Sequence, residues 1–199
     1  MKTTLTSKTK IIIGIDPGYD RLGICILEKN SKSENKLLFS ECLESDKKQE
    51  LNERIFNLCE KVKKIILNFQ KKIEAEVEIE MAIEKLFFTS NQKTAMGVSQ
   101  LRGAVIYLAN ILKIKVFEYT PLQIKVALTG YGKAEKKQVE FMVDKILNLK
   151  KEPPSQSHGR LKAPLAKLRR TEEKSKAEKI LDDEYDAIAC ALTHAAIWK

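Results

Sequence analysis

The stretch Ile11-Ile12-Ile13-Gly14-Ile15-Asp16-Pro17-Gly18 constrains this chain more than any other. Ile is a strong strand former, and a continuous apolar run reads as a strand buried on both faces. Pro17-Gly18 stops that strand. Asp16 therefore stands at the end of a rigid central element, where a sheet protein can place a reactive group with little positional error. A turn aspartate bonded to local backbone fits the same pattern, so the decisive question is whether other acids converge on Asp16.

The rest of the chain reads as one α/β unit. Arg21–Glu28 is a second strand, antiparallel to the first because the connection is so short. Lys36–Cys42 is a third and completes a meander. Over Asp46–Lys72 the period changes: Leu51, Ile55, Leu58, Val62, Ile65, Ile66 and Phe69 recur every three or four residues, the mark of an amphipathic helix. Val77, Ile79, Met81 and Ile83 then alternate with more polar residues in a strand that ends at Glu84. Thr89–Lys113 predicts a long helix carrying Gly97 and Gly103, and close approach of another backbone, inside the fold or across a dimer interface, would explain both. Lys115–Tyr119 is a fifth strand. Thr120-Pro121 has the form of an N-cap followed by proline at the first helical position. After the Gly130-Tyr131-Gly132 turn, a helix spans about Ala134–Leu149, and Asp183–Trp198 forms a last, alanine-rich helix. A meander followed by βαβ steps implies a mixed five-stranded sheet with helices on both faces.

Length and charge narrow the partners. The chain has 199 residues, enough for one domain, here 11–199, after a polar arm over Met1–Lys10 that lacks the apolar core of a secretory signal. No apolar stretch approaches a membrane span. The net charge of +9 favours a polyanion such as nucleic acid. Cys25, Cys42, Cys59 and Cys190 are not at metal-ligand spacing and read as buried thiols of a cytoplasmic protein. Lys150–Asp182, with Pro153-Pro154 and an excess of basic residues, reads as a mobile basic insertion.

The acids form a pattern. Glu84 ends its strand as Asp16 ends the first, and the two strands are candidates for parallel neighbours about 4.8 Å apart. Asp183 and Asp186, three residues apart on a helix, share a face; Asp182 is a rival for Asp183, set aside because it lies nearer the insertion. Four acids brought together would repel one another unless cations intervened, and oxygen ligands of this kind suit Mg²⁺ or Mn²⁺ rather than zinc. Two such ions about 3.5–4 Å apart are the device for in-line phosphodiester hydrolysis. In that arrangement Asp16, facing both, is the bridging ligand. Read singly, Glu84 is an ordinary strand-end acid, and Asp183 with Asp186 an acidic first helical turn.

Taken together, Gly14-Ile15-Asp16-Pro17-Gly18 with Gly23, Ala82-Ile83-Glu84 with Phe87, Gln100 with Arg102-Gly103, Val116–Tyr119 with Gln123-Ile124-Lys125, Gly130-Tyr131-Gly132 with Ala134-Glu135-Lys136, and Asp183–Ala187 with Thr193-His194 run in an order that resembles the bacterial RuvC Holliday junction resolvases. The resemblance covers roughly residues 11–149 and 183–198. It implies an RNase H-like fold, a homodimer, Mg²⁺-dependent symmetric nicking of four-way DNA junctions in recombination and repair, and work beside the RuvA–RuvB branch-migration complex. It puts the catalytic carboxylates on Asp16, Glu84, Asp183 and Asp186, the basic residues important for cleavage on Lys125 and Lys136, and the base-contacting aromatic on Phe87, with Phe88 able to exchange roles with it. The helix about Asn91–Lys113 is the expected dimer interface. The insertion and the long N-terminal arm depart from the family pattern, as does Lys85 after Glu84. An RNase H-fold nuclease acting on RNA or other branched DNA is the alternative. An actin-like sugar kinase, which also begins with an acid-and-glycine strand turn, would need a second such loop and a second domain.

Overall fold

A computed structural model of the chain describes residues 9–30, 34–73, 77–86, 92–149 and 180–197. Phe87, Phe88 and most of the 150–182 insertion lie outside the described residues, as do residues 1–8 of the arm. The elements are β1 (Lys10–Asp16), β2 (Arg21–Lys29), β3 (Asn35–Glu44), α1 (Leu51–Gln70), β4 (Glu78–Glu84), α2 (Gln92–Ile111), β5 (Lys115–Tyr119), α3 (Pro121–Thr129), α4 (Lys136–Leu147) and α5 (Asp182–Ile197). The sheet order is β3-β2-β1-β4-β5. β1 pairs antiparallel with β2 and parallel with β4, with Ile15 opposite Ile83, so the expected side-by-side placement of the strands ending at Asp16 and Glu84 holds.

Strand periodicity divides the core. Ile13, Ile15, Met81 and Ile83 pack with Leu58, Val62 and Ile66 of α1 and Leu101 and Val105 of α2. Ile12 and Ala82, of opposite parity, pack under α3, α4 and α5. Successive strand residues face opposite sides, so Asp16 shares the face of Ile12, and Glu84 that of Ala82. Both acids belong to the layer that α5 covers.

α5 lies unusually close to that layer. A Cβ on Gly14 would overlap the Ala187 carbonyl oxygen, and one on Gly23 the carbonyl oxygen of Asp183. The alanines of α5 (Ala187, Ala189, Ala191 and Ala195) are buried and leave the backbones free to approach. Two polar ties fix the helix further. Ser40 of β3 donates to Glu184 at 2.6 Å. At the other end, His194 Nε2 lies 2.7 Å from Glu80 Oε2 and its Nδ1 lies 2.6 Å from the Tyr119 hydroxyl. An ionised Glu80 can only accept, so Nε2 carries the hydrogen and Nδ1 accepts from Tyr119. Lys10 Nζ completes the group, 2.6 Å from the same Glu80 oxygen. Burial alone would raise the Glu80 pKa, but the hydrogen bonds from Lys10 and His194 outweigh it and hold the carboxyl below its ordinary value.

Several local expectations change. Lys10 is not part of the arm; it opens β1 and is buried in the ion pair with Glu80. The helix expected over Asp46–Lys72 begins at Leu51, after a turn in which Asp46 accepts from the Lys48 amide. Asp182 belongs to α5 rather than to the insertion. Cys25 and Cys190 are buried, whereas Cys42 and Cys59 are only half-buried. The Thr120 cap is as expected: Thr120 Oγ1 accepts from the Gln123 amide at 3.1 Å, and Gln123 Oε1 accepts from the Thr120 amide at 2.8 Å. Gly97 meets the Tyr19 ring inside the fold, while Gly103 opens to the surface.

The close seat of α5 is testable. Gly23→Ala is expected to destabilise the protein by about 3 kcal/mol, the upper range for forced overpacking, read as a lower urea midpoint at unchanged slope.

Candidate active site

Three elements deliver the acids. β1 ends at Asp16 and β4 at Glu84, side by side and on one face. Asp183 and Asp186 lie on the first turns of α5, which the contact at Gly23 presses against β2. The electrostatics report the convergence. Burial, then repulsion from Asp186, Glu84 and Asp183, pushes the Asp16 pKa up to about 8, with Lys136 opposing. Burial and Asp186 push Glu84 up to about 7, against the pull of Lys136 and Lys125. All four acids named from the sequence therefore meet in one field, and so do both lysines.

The chain's own cations already neutralise part of that charge. Lys136 Nζ lies 2.8 Å from Asp186 and 3.8 Å from Asp182. Arg21 Nη2 lies 3.0 Å from Asp183, and the Cys42 thiol donates to the same carboxylate at 3.7 Å. Burial, with Asp183 adding to it, pushes the Cys42 thiol up to about 12, so it stays a donor. Among the described residues, no group of three or more His, Cys, Asp or Glu stands at metal-holding spacing. The donor set nevertheless fits a hard divalent cation. It is made of carboxylate oxygens, and the raised proton affinity of Asp16 and Glu84 marks a place that favours added positive charge.

The residues that hold the strand ends were not visible as such in the sequence. Arg102 of α2 donates through Nε to the Glu84 carbonyl at 3.1 Å and pairs with Glu118 at 2.6 Å. Its motif was legible, its partner was not. Arg54 of α1 steadies the turn after Asp16: it donates to the Tyr19 carbonyl at 3.2 Å and to Ser45 Oγ at 3.0 Å, pairs with Asp20, and lies 5.0 Å from the centre of the Tyr19 ring. An arginine among the lysines of an amphipathic helix carries no signal of that role.

A mixed sheet of this order, with paired carboxylates at the ends of its two central parallel strands and a third set brought over by the closing helix, defines an RNase H-like nuclease. The family described as crossover junction endodeoxyribonuclease RuvC matches residues 12–159. Among similar proteins, the crossover junction endodeoxyribonuclease RuvC of Petrotoga mobilis is 37% identical over 143 residues, covering 72% of this chain and 83% of that protein. That of Desulforamulus reducens is 34% identical over 185 residues and covers 93% of each. The solved structure titled T. thermophilus RuvC in complex with Holliday junction substrate superposes with a TM-score of 0.68 at 26% identity, over 94% of this chain and 93% of that one. This chain belongs to the RuvC family of crossover junction endodeoxyribonucleases.

The raised carboxylate values fix a pH dependence for the metal-free protein. From about pH 4 up to about pH 8 for Asp16 and about pH 7 for Glu84, the folded chain keeps protons that the unfolded chain has released. Stability from this source is full below the ordinary carboxylate range and is lost as pH rises through the folded values. Asp16→Asn is therefore expected to stabilise the metal-free protein at pH 8.5 or so, on the order of 1–3 kcal/mol, and to leave it little changed near pH 4, as read by thermal unfolding in EDTA.

Proposed function

We propose that this chain is a Holliday junction resolvase that cuts four-way DNA junctions by paired symmetric nicks in recombination and repair. The observation that carries this reading is the gathering of four acids from three elements: burial of Asp16, with repulsion from Asp186, Glu84 and Asp183 added to it, raises the Asp16 pKa to about 8. Asp16, Glu84, Asp183 and Asp186 would hold Mg²⁺, two ions per site, with Mn²⁺ as a substitute. When bound, the ions supply charge neutralisation at the phosphate and activation of water. The chain's own residues do the rest. Lys125 and Lys136 bring positive charge to the edge of the acid cluster, where a phosphate would otherwise be repelled. Lys136 exchanges its contact with Asp186 for one with the phosphate. Phe87, or Phe88 beside it, stacks on an unpaired base near the crossover.

A junction has two-fold symmetry, and two symmetric cuts call for two sites related by the same axis. The homodimer we propose uses the outer side of α2, where Met96, Gly103, Tyr107 and Ile111 lie exposed along the helix. The insertion over 150–182 reaches for the DNA arms through its charge, and the enzyme works beside the RuvA–RuvB complex. A cytoplasmic site of action goes with this reading; among the described residues no helix is long and apolar enough to cross a membrane.

The test is a synthetic four-way junction in Mg²⁺. The parent is expected to make paired nicks in opposite strands, and EDTA to abolish them. Asp16→Asn should bind the junction and lose at least about 100-fold in cutting rate. Equal cutting of an RNA–DNA hybrid or a simple fork would move the assignment to another RNase H-fold nuclease. Deleting the insertion should weaken junction binding and flatten its salt dependence, and unchanged binding would remove that role.

A further inference from the structure

Helix α3 is apolar on both sides. Ile124 and Leu128 are buried under the sheet, yet Leu122 and Val126, one turn apart, are 59% and 48% exposed. The following loop is seated on that outer face: Gly132 lies so close to Leu122 and Val126 that a Cβ there would overlap the Leu122 side chain. The backbone beside it is fixed. Gly130 takes the left-handed conformation at φ 72°, which ends α3. Thr129 Oγ1 lies 2.8 Å from the Lys125 carbonyl and accepts the Tyr131 amide at 3.1 Å. The Tyr131 carbonyl accepts from the Ala134 amide at 3.1 Å. On this clamped backbone the Tyr131 side chain is 58% exposed.

The setting gives that ring a partner. The loop joins Lys125 on α3 to Lys136 on α4, and both lysines lower the pKa of Glu84. Lys136 also reaches Asp186 at 2.8 Å, so the loop that carries Tyr131 links two elements whose lysines act on the acid cluster. Lys133 and Lys137 add to the positive charge, against Glu135 alone. An exposed aromatic on a rigid loop with a basic rim fits a nucleic acid strand, whose phosphates meet the lysines while a base meets the ring.

We propose that Tyr131, with the Leu122 and Val126 shelf beside it, is a DNA contact that stacks on an unpaired base of the strand entering the acid cluster. The inference rests on the nuclease reading and adds a specific contact to it. Because every base offers a π-face, the contact positions the strand without reading its sequence.

The experiment uses the full chain and a fluorescently labelled four-way junction, with linear duplex as control. Tyr131→Ala should keep the parent's melting temperature and weaken junction binding or cutting about tenfold, while Tyr131→Phe, which keeps the ring, should behave as the parent. Tyr131→Trp in a Trp198→Phe background should lose indole emission when junction is added in EDTA. Tyr131→Ala that binds and cuts like the parent would overturn the proposal. So would indole emission that does not move while anisotropy shows the junction bound. A change in oligomeric state with junction binding intact would assign the patch to a second copy of the chain instead. A parent that binds no junction overturns the junction reading itself, and this contact with it.

Discussion

Helix α5 rests on β1 and β2 with backbone against backbone, and that contact sets the geometry of everything above it. Gly14 and Gly23 have no room for a side chain, because the carbonyls of Ala187 and Asp183 occupy the space. A bulkier seat would lift the first turns of α5, and with them Asp183 and Asp186, away from Asp16. The closeness also has an electrostatic cost, since burial and like charge together make the carboxylates reluctant to ionise.

That cost is offset in two places. At the acidic end, Arg21 pairs with Asp183, and Lys136 with Asp186 and, at longer range, Asp182. At the far end, Lys10, Glu80, His194 and Tyr119 join β1, β4, β5 and α5 through contacts of 2.6–2.7 Å. Removing one member of such a buried group leaves its partner's charge uncompensated, typically at about 3–5 kcal/mol. The helix that brings Asp183 and Asp186 to the strand-end acids is thus tied down at its opposite end.

The sequence was informative where local chemistry decides the outcome. A run of Ile ending at Asp16, an alternating strand ending at Glu84 and a Thr-Pro helix start each follow from residue preferences, and the structure has all of them. The convergence of the acids was legible because parallel neighbours and an i, i+3 pair constrain direction. Long-range pairings were not legible. Lys10 looks like the last residue of a polar tail, and Glu80 like one more acid on the exposed side of an alternating strand. Only the register of β1 against β4 and the approach of α5 bury them together. Arg54 and Arg102 act on carbonyls far away in the sequence, and a carbonyl leaves no trace in residue type.

On its inner side α2 touches both strand ends at once. Gly97 receives the ring of Tyr19, three residues beyond Asp16, and Arg102 holds the carbonyl of Glu84. Through these two contacts the turn beyond Asp16 and the end of β4 share a single support, so a substitution that shifts α2 is expected to disturb both carboxylate-bearing tips together.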